Sequence, residues 1–485
     1  MPAGIDPRPR AEGFERSPWR ADQAGSGRIG RRPPGQPGSP AHWQRRPLAR
    51  TLLGALELAV LTVAGLVLGP PARAEVARGR LLADPAATSS TAPWHWPGQP
   101  TTGFALRQTT LVAGWPEHPA GSGLPPGAMG IADTRLRSWL NDRWYGVRFS
   151  GAVEFETGYG SAPSSNLGLL GDSNPGVSRP FDVLDLTWVP TSPTSATSRA
   201  EVERADLRWS TGPLDFDVGR QPISLGTSHF VSVLDVLAPF APGSLDASYK
   251  PGIDAVRVSA GFGEQGVAEL IVAGTDPWNR GGTLARLHDT LAGMDVEILG
   301  GRFRDRSFGG FDWDGQVGPA GLWGEFAAFQ RLPGIEQYRG GLRQVALSGV
   351  AGADLSLPFD LQGSFGLLYQ DFGARRPEDL PSVYTDAPYR QGWDFLGSAG
   401  YGVVTLSRAL GPLVSGSVSG LVNLVDGSTL WEPQVTYSVS DNADLGAYVW
   451  AGVGAPPARD GATVVPRSEF GMVPTGGGLY ARWFF

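Results

Sequence analysis

In a chain without cysteine, catalytic chemistry falls to histidines, hydroxyls and carboxylates. None of the 485 residues is Cys, which removes thiolate nucleophiles, disulfides and thiolate metal sites. Beyond residue 74 the histidines are His95, His118, His229 and His288, none with another three or four positions away. No helical zinc pair can form. Ser228 and His229 adjoin, but a nucleophile and its base meet through space with an orienting acid, rarely as chain neighbours. His288-Asp289 reads as a polar loop cluster, and Gly309-Gly310 and Gly476-Gly477-Gly478 as strand or turn glycines rather than phosphate cradles. Glu154 and Glu156 share one strand face; they could flank a bond as acid and base, but more simply line water. No enzyme, cofactor or metal is expected.

A different chemistry suits residues 219–258. Gly219-Arg220-Gln221 ends one apolar-alternating segment, and Tyr249-Lys250-Pro251-Gly252-Ile253-Asp254-Ala255-Val256-Arg257 opens another. About thirty residues lie between, long for a compact protein and usually functional or disordered. Their apolar content (Phe230, Val231, Val233, Leu234, Val236, Leu237, Phe240) argues against a solvated loop. Folded into a lumen, the segment would place Asp235, Asp246 and Lys250 beside Arg220. Opposed cation and carboxylate clusters across a constriction set ion selectivity and orient polar solutes. The candidate lining is Arg148, Glu154, Glu156, Arg204, Asp206, Arg208, Asp215, Asp217, Arg220, Gln221, Asp235, Asp246, Lys250, Asp254 and Arg257. Acids and bases nearly balance there, so weak ion selectivity is expected. Two roles stay open for Arg220: contact with solute, or pairing with Asp254 to pin the loop. The stretch resembles the "GRQ" strand and inward loop of porin-like outer-membrane barrels of the alginate-export type and relatives. That resemblance covers about 40 residues and implies an architecture more than a substrate.

The elements that would position these residues follow from composition and periodicity. Residues 1–50 are rich in Arg, Pro and Gly without periodicity, which predicts disorder. An apolar run at 52–68 follows Arg45, Arg46 and Arg50 and precedes Ala72-Arg73-Ala74. This is the pattern of a secretory signal cleaved after Ala74. Its 50-residue leader leaves two readings, a start codon further downstream or a retained inner-membrane anchor; either way residues 1–74 stand apart. The remainder carries 29 basic and 42 acidic side chains, with no basic face for nucleic acid. Residues 75–138, Pro- and Gly-rich, read as a periplasmic extension, a linker or a small plug, and 139–485 as the barrel.

From Trp144 onward, Val147, Phe149 and Phe155 alternate with Arg148, Glu154 and Glu156 over about a dozen residues, enough to cross a bilayer at a tilt. Similar segments recur at 202–210, 214–218, 256–262, 267–272, 295–303, 321–329, 344–351, 362–369, 401–406, 414–424, 435–439 and 445–451. Tight turns such as 210–213 and 440–443 alternate with long polar segments such as 371–391 and 455–471. That asymmetry belongs to outer-membrane barrels. In 479–485, Leu479, Ala481, Trp483 and Phe485 share one face and Tyr480 and Arg482 the other. The ending resembles the C-terminal assembly signal of bacterial outer-membrane barrels, which assigns Leu479, Trp483 and Phe485 to barrel assembly. A soluble β-sandwich with an apolar last strand is the plainer alternative.

The expectation is therefore an all-β transmembrane antiparallel β-barrel of about 14–16 strands with an inward-folded loop, in the bacterial outer membrane. Its expected partners are outer-membrane lipid, the assembly machinery and a small polar solute. A passive channel is the first reading; a barrel enzyme or an assembly or export scaffold is the second.

Overall fold

The computed structural model describes residues 101–114, 129–160, 181–191, 196–228, 230–239, 249–275, 281–304, 306–331, 345–386, 389, 395–460 and 463–485. The leader, its cleavage position Ala74, and Asp246 lie outside these residues.

Alternating side chains give strands, and the strands pair in sequence order into a ring. Its members are β1 (Thr101–Gly114), β2 (Met129–Trp144), β3 (Val147–Gly160), β5 (Ala196–Thr211), β6 (Leu214–Gln221), β7 (Ile253–Phe262), β8 (Gly266–Ala273), β9 (Gly282–Leu291) and β10 (Met294–Phe303). They continue through β11 (Arg306–Val317), β12 (Ala320–Arg331), β13 (Val345–Leu357), β14 (Leu361–Gln370), β15 (Gly400–Ala409), β16 (Val414–Asn423), β17 (Thr429–Ser440), β18 (Ala443–Val453) and β21 (Thr475–Phe484). Every neighbouring pair is antiparallel, and β21 pairs back onto β1 from Ala105↔Phe484 to Gly114↔Thr475, so the sheet closes as an eighteen-stranded barrel. Phe485 extends this seam: its N–H donates to the Phe104 carbonyl at 2.8 Å, and its ring stacks on Phe104 at 4.6 Å.

Three short strands lie outside the ring. One is β4 (Thr187–Thr191), which pairs with β5. The other two, β19 (Ala458–Asp460) and β20 (Thr463–Val465), pair with each other in the loop between β18 and β21.

Eighteen strands exceed the expected 14–16, and two of them, β1 and most of β2, precede residue 139. Four strands, β1, β2, β9 and β11, carry no clean alternation. On β1 and β2 the outward positions include Gln108 and Thr134, whose side chains hydrogen-bond to each other at 2.5 Å, so neither face reads as apolar. The region expected to be a plug or linker thus supplies two wall strands.

Short turns gather at one end. Tyr145-Gly146 and Ala292-Gly293 both have two successive positive φ values (47° and 87°; 54° and 82°), the type I′ geometry that matches strand twist. Outward side chains are exposed and apolar: Leu136, Leu207, Leu270, Leu287, Ile298, Leu367, Val418 and Val449. Aromatics flank this band at the turn end (Trp144, Tyr145, Phe262, Phe359, Tyr437) and at the loop end (Tyr159, Trp188, Tyr369, Trp431). Among the described residues no helix is long and apolar enough to cross a membrane.

Candidate functional site

Inward positions on β2 to β10 hold a continuous belt of ion pairs. Arg135 meets Asp133 at 3.1 Å and Glu156 at 3.4 Å, and Arg137 meets Glu154 at 2.5 Å and Glu203 at 2.6 Å. Arg208 and Arg257 converge on Asp217 at 2.5 and 3.1 Å. Arg286 joins Glu269 to Glu297, the latter at 3.2 Å. Arg135–Glu156, Arg137–Glu154, Arg208–Asp217, Asp217–Arg257 and Glu269–Arg286 sit directly across from each other, because antiparallel register places same-face side chains about 5 Å apart; the other pairs reach along a strand, diagonally or over a neighbouring strand. The opposite arc is mostly uncharged: Thr405 bonds Ser419 at 3.0 Å, and Gln434 and Thr436 bond the Tyr480 hydroxyl at 2.7 and 2.8 Å, while its inward charges include Glu432, across from Ser419, and the Arg482–Asp444 pair at 3.3 Å. Higher on that arc the inner wall turns apolar, with Trp323, Val350, Leu368, Tyr401 and Trp450 buried.

Residues 222–228, 230–239 and 249–252 leave the wall at the end of β6 and enter the barrel. Ile223, Leu225, Leu234, Val236 and Leu237 pack on the inner wall against Ile271, Leu284, Leu299, Phe308 and Phe329. This is why an apolar loop is not solvated: it has a core to join. Its anchor is Glu325 on β12, 1% exposed. The carboxylate accepts from Ser228 N–H (2.6 Å), Val233 N–H (2.7 Å), Leu234 N–H (3.2 Å) and the Ser232 hydroxyl (2.8 Å). Gly226, at φ +82°, passes so close that a Cβ there would collide with this carboxylate. Lys250 clasps Asp235, tying the two limbs together. Burial pushes the Asp235 carboxyl up while Lys250 pulls it down. Next to Lys250, the Tyr249 ring lies between two guanidinium groups, 3.5 Å from Arg137 Cζ on β2 and 4.0 Å from Arg204 Cζ on β5. The ring of strands places β2 and β12 opposite each other, because equally many strands separate them in either direction. The loop is therefore held from both sides of the lumen.

The expected lining residues that are described separate into four groups. Glu154, Glu156, Asp206, Arg208, Asp217 and Arg257 lie on the inner face of the ion-pair belt, and Arg204 faces Tyr249. Arg148 and Asp215 are exposed near the turn end, where Asp215 accepts from the Ser210 hydroxyl. Asp235 and Lys250 pair inside the loop.

Of the two roles left open for Arg220, its contacts match the second, pairing with Asp254, and Arg220, Asp254 and Gln221 are placed away from the expected lining. Arg220 is 2% exposed and shares strand parity with Val218, as Asp254 does with Val256, which turns outward. Its guanidinium donates to both Asp254 oxygens (2.8 and 3.1 Å), to the Val202 carbonyl (3.0 Å) and to the Leu184 carbonyl (2.7 Å). Asp254 accepts in turn from Val183 and Leu184 N–H at 2.8 and 3.1 Å. Gln221, 1% exposed, donates to the Asp217 and Ala255 carbonyls. Arg220 and Asp254 seal the outer side of the wall where β6 stops, under the segment that leads into β4, while Gln221 shares strand parity with Asp217 and is buried against the backbone.

Arg135, Arg137, Glu203, Glu269, Arg286, Glu297 and Glu325 escaped the sequence reading, and Tyr249, though part of the 249–257 motif, carries no role in it. Arg135 and Arg137 stand two apart, as strand neighbours on one face do. They lie in the stretch read as a plug or linker. Glu325 is a lone acid in an apolar strand, with nothing local to name its partners.

No protein-family model matches the chain, and no curated protein is similar to it. Among solved structures it is similar to Acinetobacter baumannii OccAB4, at 9% identity over 80% of this chain and 98% of that one, with a TM-score of 0.48. It is similar to OccAB3 of the same organism at 12% identity, over 80% and 99%, with a TM-score of 0.48. The third is Pseudomonas aeruginosa OpdK, crystallised with vanillate, at 12% identity over 80% and 98%, with a TM-score of 0.45. What the lumen of the present chain can do is read from its own walls.

Proposed function

We propose that this chain is an outer-membrane channel through which small polar or charged solutes diffuse passively. One observation carries the reading: a closed ring, apolar outside between two aromatic rims, encloses a densely charged wall and a sparsely charged polar wall with an anchored loop between them. A barrel leaves no strand edge unpaired in hydrocarbon, and an outward apolar band with aromatic girdles fits a bilayer. The alginate-export-type resemblance of residues 219–257 supports the loop's role as a constriction and names no solute. Purified protein reconstituted into planar bilayers should give discrete, ohmic conductance steps with weak ion selectivity. Assembled barrels that pass no current would overturn the channel and favour the second reading, a barrel serving as scaffold for an enzyme or an export machine.

A further inference from the structure

The inward loop is held unequally at its two ends. At β12 the Glu325 carboxylate takes four donors from residues 228–234, and Phe230 packs on Trp323 at 5.9 Å. Displacing that end would strand a buried charge and leave several N–H groups unmade. On the β2–β5 side the Tyr249 ring is held by the faces of Arg137 and Arg204. Burial pushes its phenol up, with Arg204 pulling down, so the ring is neutral at physiological pH. Tyr249 is half-buried, not enclosed. It projects from the loop toward inward-facing residues on either side of β3, where Glu154 is also inward.

We infer that Tyr249 is the size-selecting residue of the channel: its ring, braced between two guanidinium planes, sets the width of the passage on the β2–β5 side. The inference rests on the channel reading and adds to it which side chain limits what passes. The bracing is by stacking, which needs the π face and not the hydroxyl. Guanidinium groups suit this role because they are planar and always charged. Arg137 is itself fixed by Glu154 and Glu203, so one side of the brace is rigid.

Single-channel conductance and liposome swelling with sugars of increasing size test this. Tyr249→Ala should raise conductance and admit larger sugars than wild type, while Tyr249→Phe should match wild type in both. Arg204→Met removes one face of the brace while leaving the ring in place. It should give noisier current and an intermediate size limit. Heat-modifiable migration on gels checks assembly, and if Tyr249→Ala fails to assemble, the Arg204→Met arm decides. An assembled Tyr249→Ala or Arg204→Met variant with the wild-type conductance and size limit overturns the assignment. So does a Tyr249→Phe variant as permissive as Tyr249→Ala, since the hydroxyl would then be holding the ring. If wild type itself passes no current, the channel reading fails instead.

Discussion

Glu325 shows how one side chain can organise a loop that it does not belong to. A buried carboxylate needs compensation, and here the compensation is backbone N–H groups ninety or more residues upstream. Hydrogen bonds to a charged acceptor are worth about 1.5–3 kcal/mol each. Glu325→Gln keeps the shape and loses the charge. It should leave the barrel assembled while raising the protease sensitivity of residues 222–239, measured by limited digestion in detergent. Glu469, in the loop between β18 and β21, plays a similar part for the opposite arc. It accepts from Gly397 N–H (2.7 Å), the Tyr401 hydroxyl (2.5 Å) and Asn423 Nδ2 (2.8 Å), and joins three loops. Burial pushes its carboxyl up to about 7, with Tyr401 pulling down and Asp426 pushing further up. A carboxyl whose folded value lies above its unfolded one binds more protons when folded, so its contribution falls as pH rises from about 4.5 to about 7. Hydrogen exchange at Gly397 should therefore quicken between pH 5 and pH 8 beyond the intrinsic base catalysis. In Glu469→Gln that excess should vanish. Neither carboxylate could be singled out from sequence, because its partners are distant backbone groups that no spacing rule reaches.

At the scale of the strand, alternation was the legible signal wherever one face was apolar and the other charged. On β3, Phe149 and Phe155 are exposed while Glu154 and Glu156 meet Arg137 and Arg135, as the pattern requires. Where a face mixes polarity, as at Gln108 and Thr134, the signal fades although the hydrogen-bond ladder is intact. Parity also explains the misplacement of Arg220. Residues 217 and 220 differ by an odd number, so Asp217 and Arg220 take opposite faces, yet charge alone suggested a shared one. Arg220 replaces the missing end of a short strand: β6 stops at Gln221, and β4 takes over the free edge of β5. Breaking a buried pair costs up to about 3–5 kcal/mol. Arg220→Ala should lower the temperature at which the barrel unfolds on gels, and reversal potential should stay at the wild-type value. A shifted reversal potential would return Arg220 to the lumen.

For the molecule as a whole, the outer face has to meet hydrocarbon. Ile298, 60% exposed and midway along β10, faces outward. Ile298→Arg should destabilise the barrel by about 2–4 kcal/mol in urea titrations in lipid. Ser419→Arg, on the inner face beside Thr405, should cost little and shift selectivity toward anions. Removing Phe485 deletes the stacking on Phe104 and two backbone hydrogen bonds. Folded protein recovered from the outer-membrane fraction should drop sharply, and wild-type recovery would remove Phe485 from any part in assembly.

The seam between β21 and β1 also governs the order of events. Every other ring contact joins strands adjacent in sequence or separated by one loop, whereas this one brings Phe484 to Ala105. Closing so long a stretch of chain carries the largest entropic cost of any pairing in the sheet, and non-local pairings are the slow ones. Until it forms, two raw edges stand open and no water-filled interior is enclosed. The lumen is thus the last thing this chain makes, and it arrives all at once.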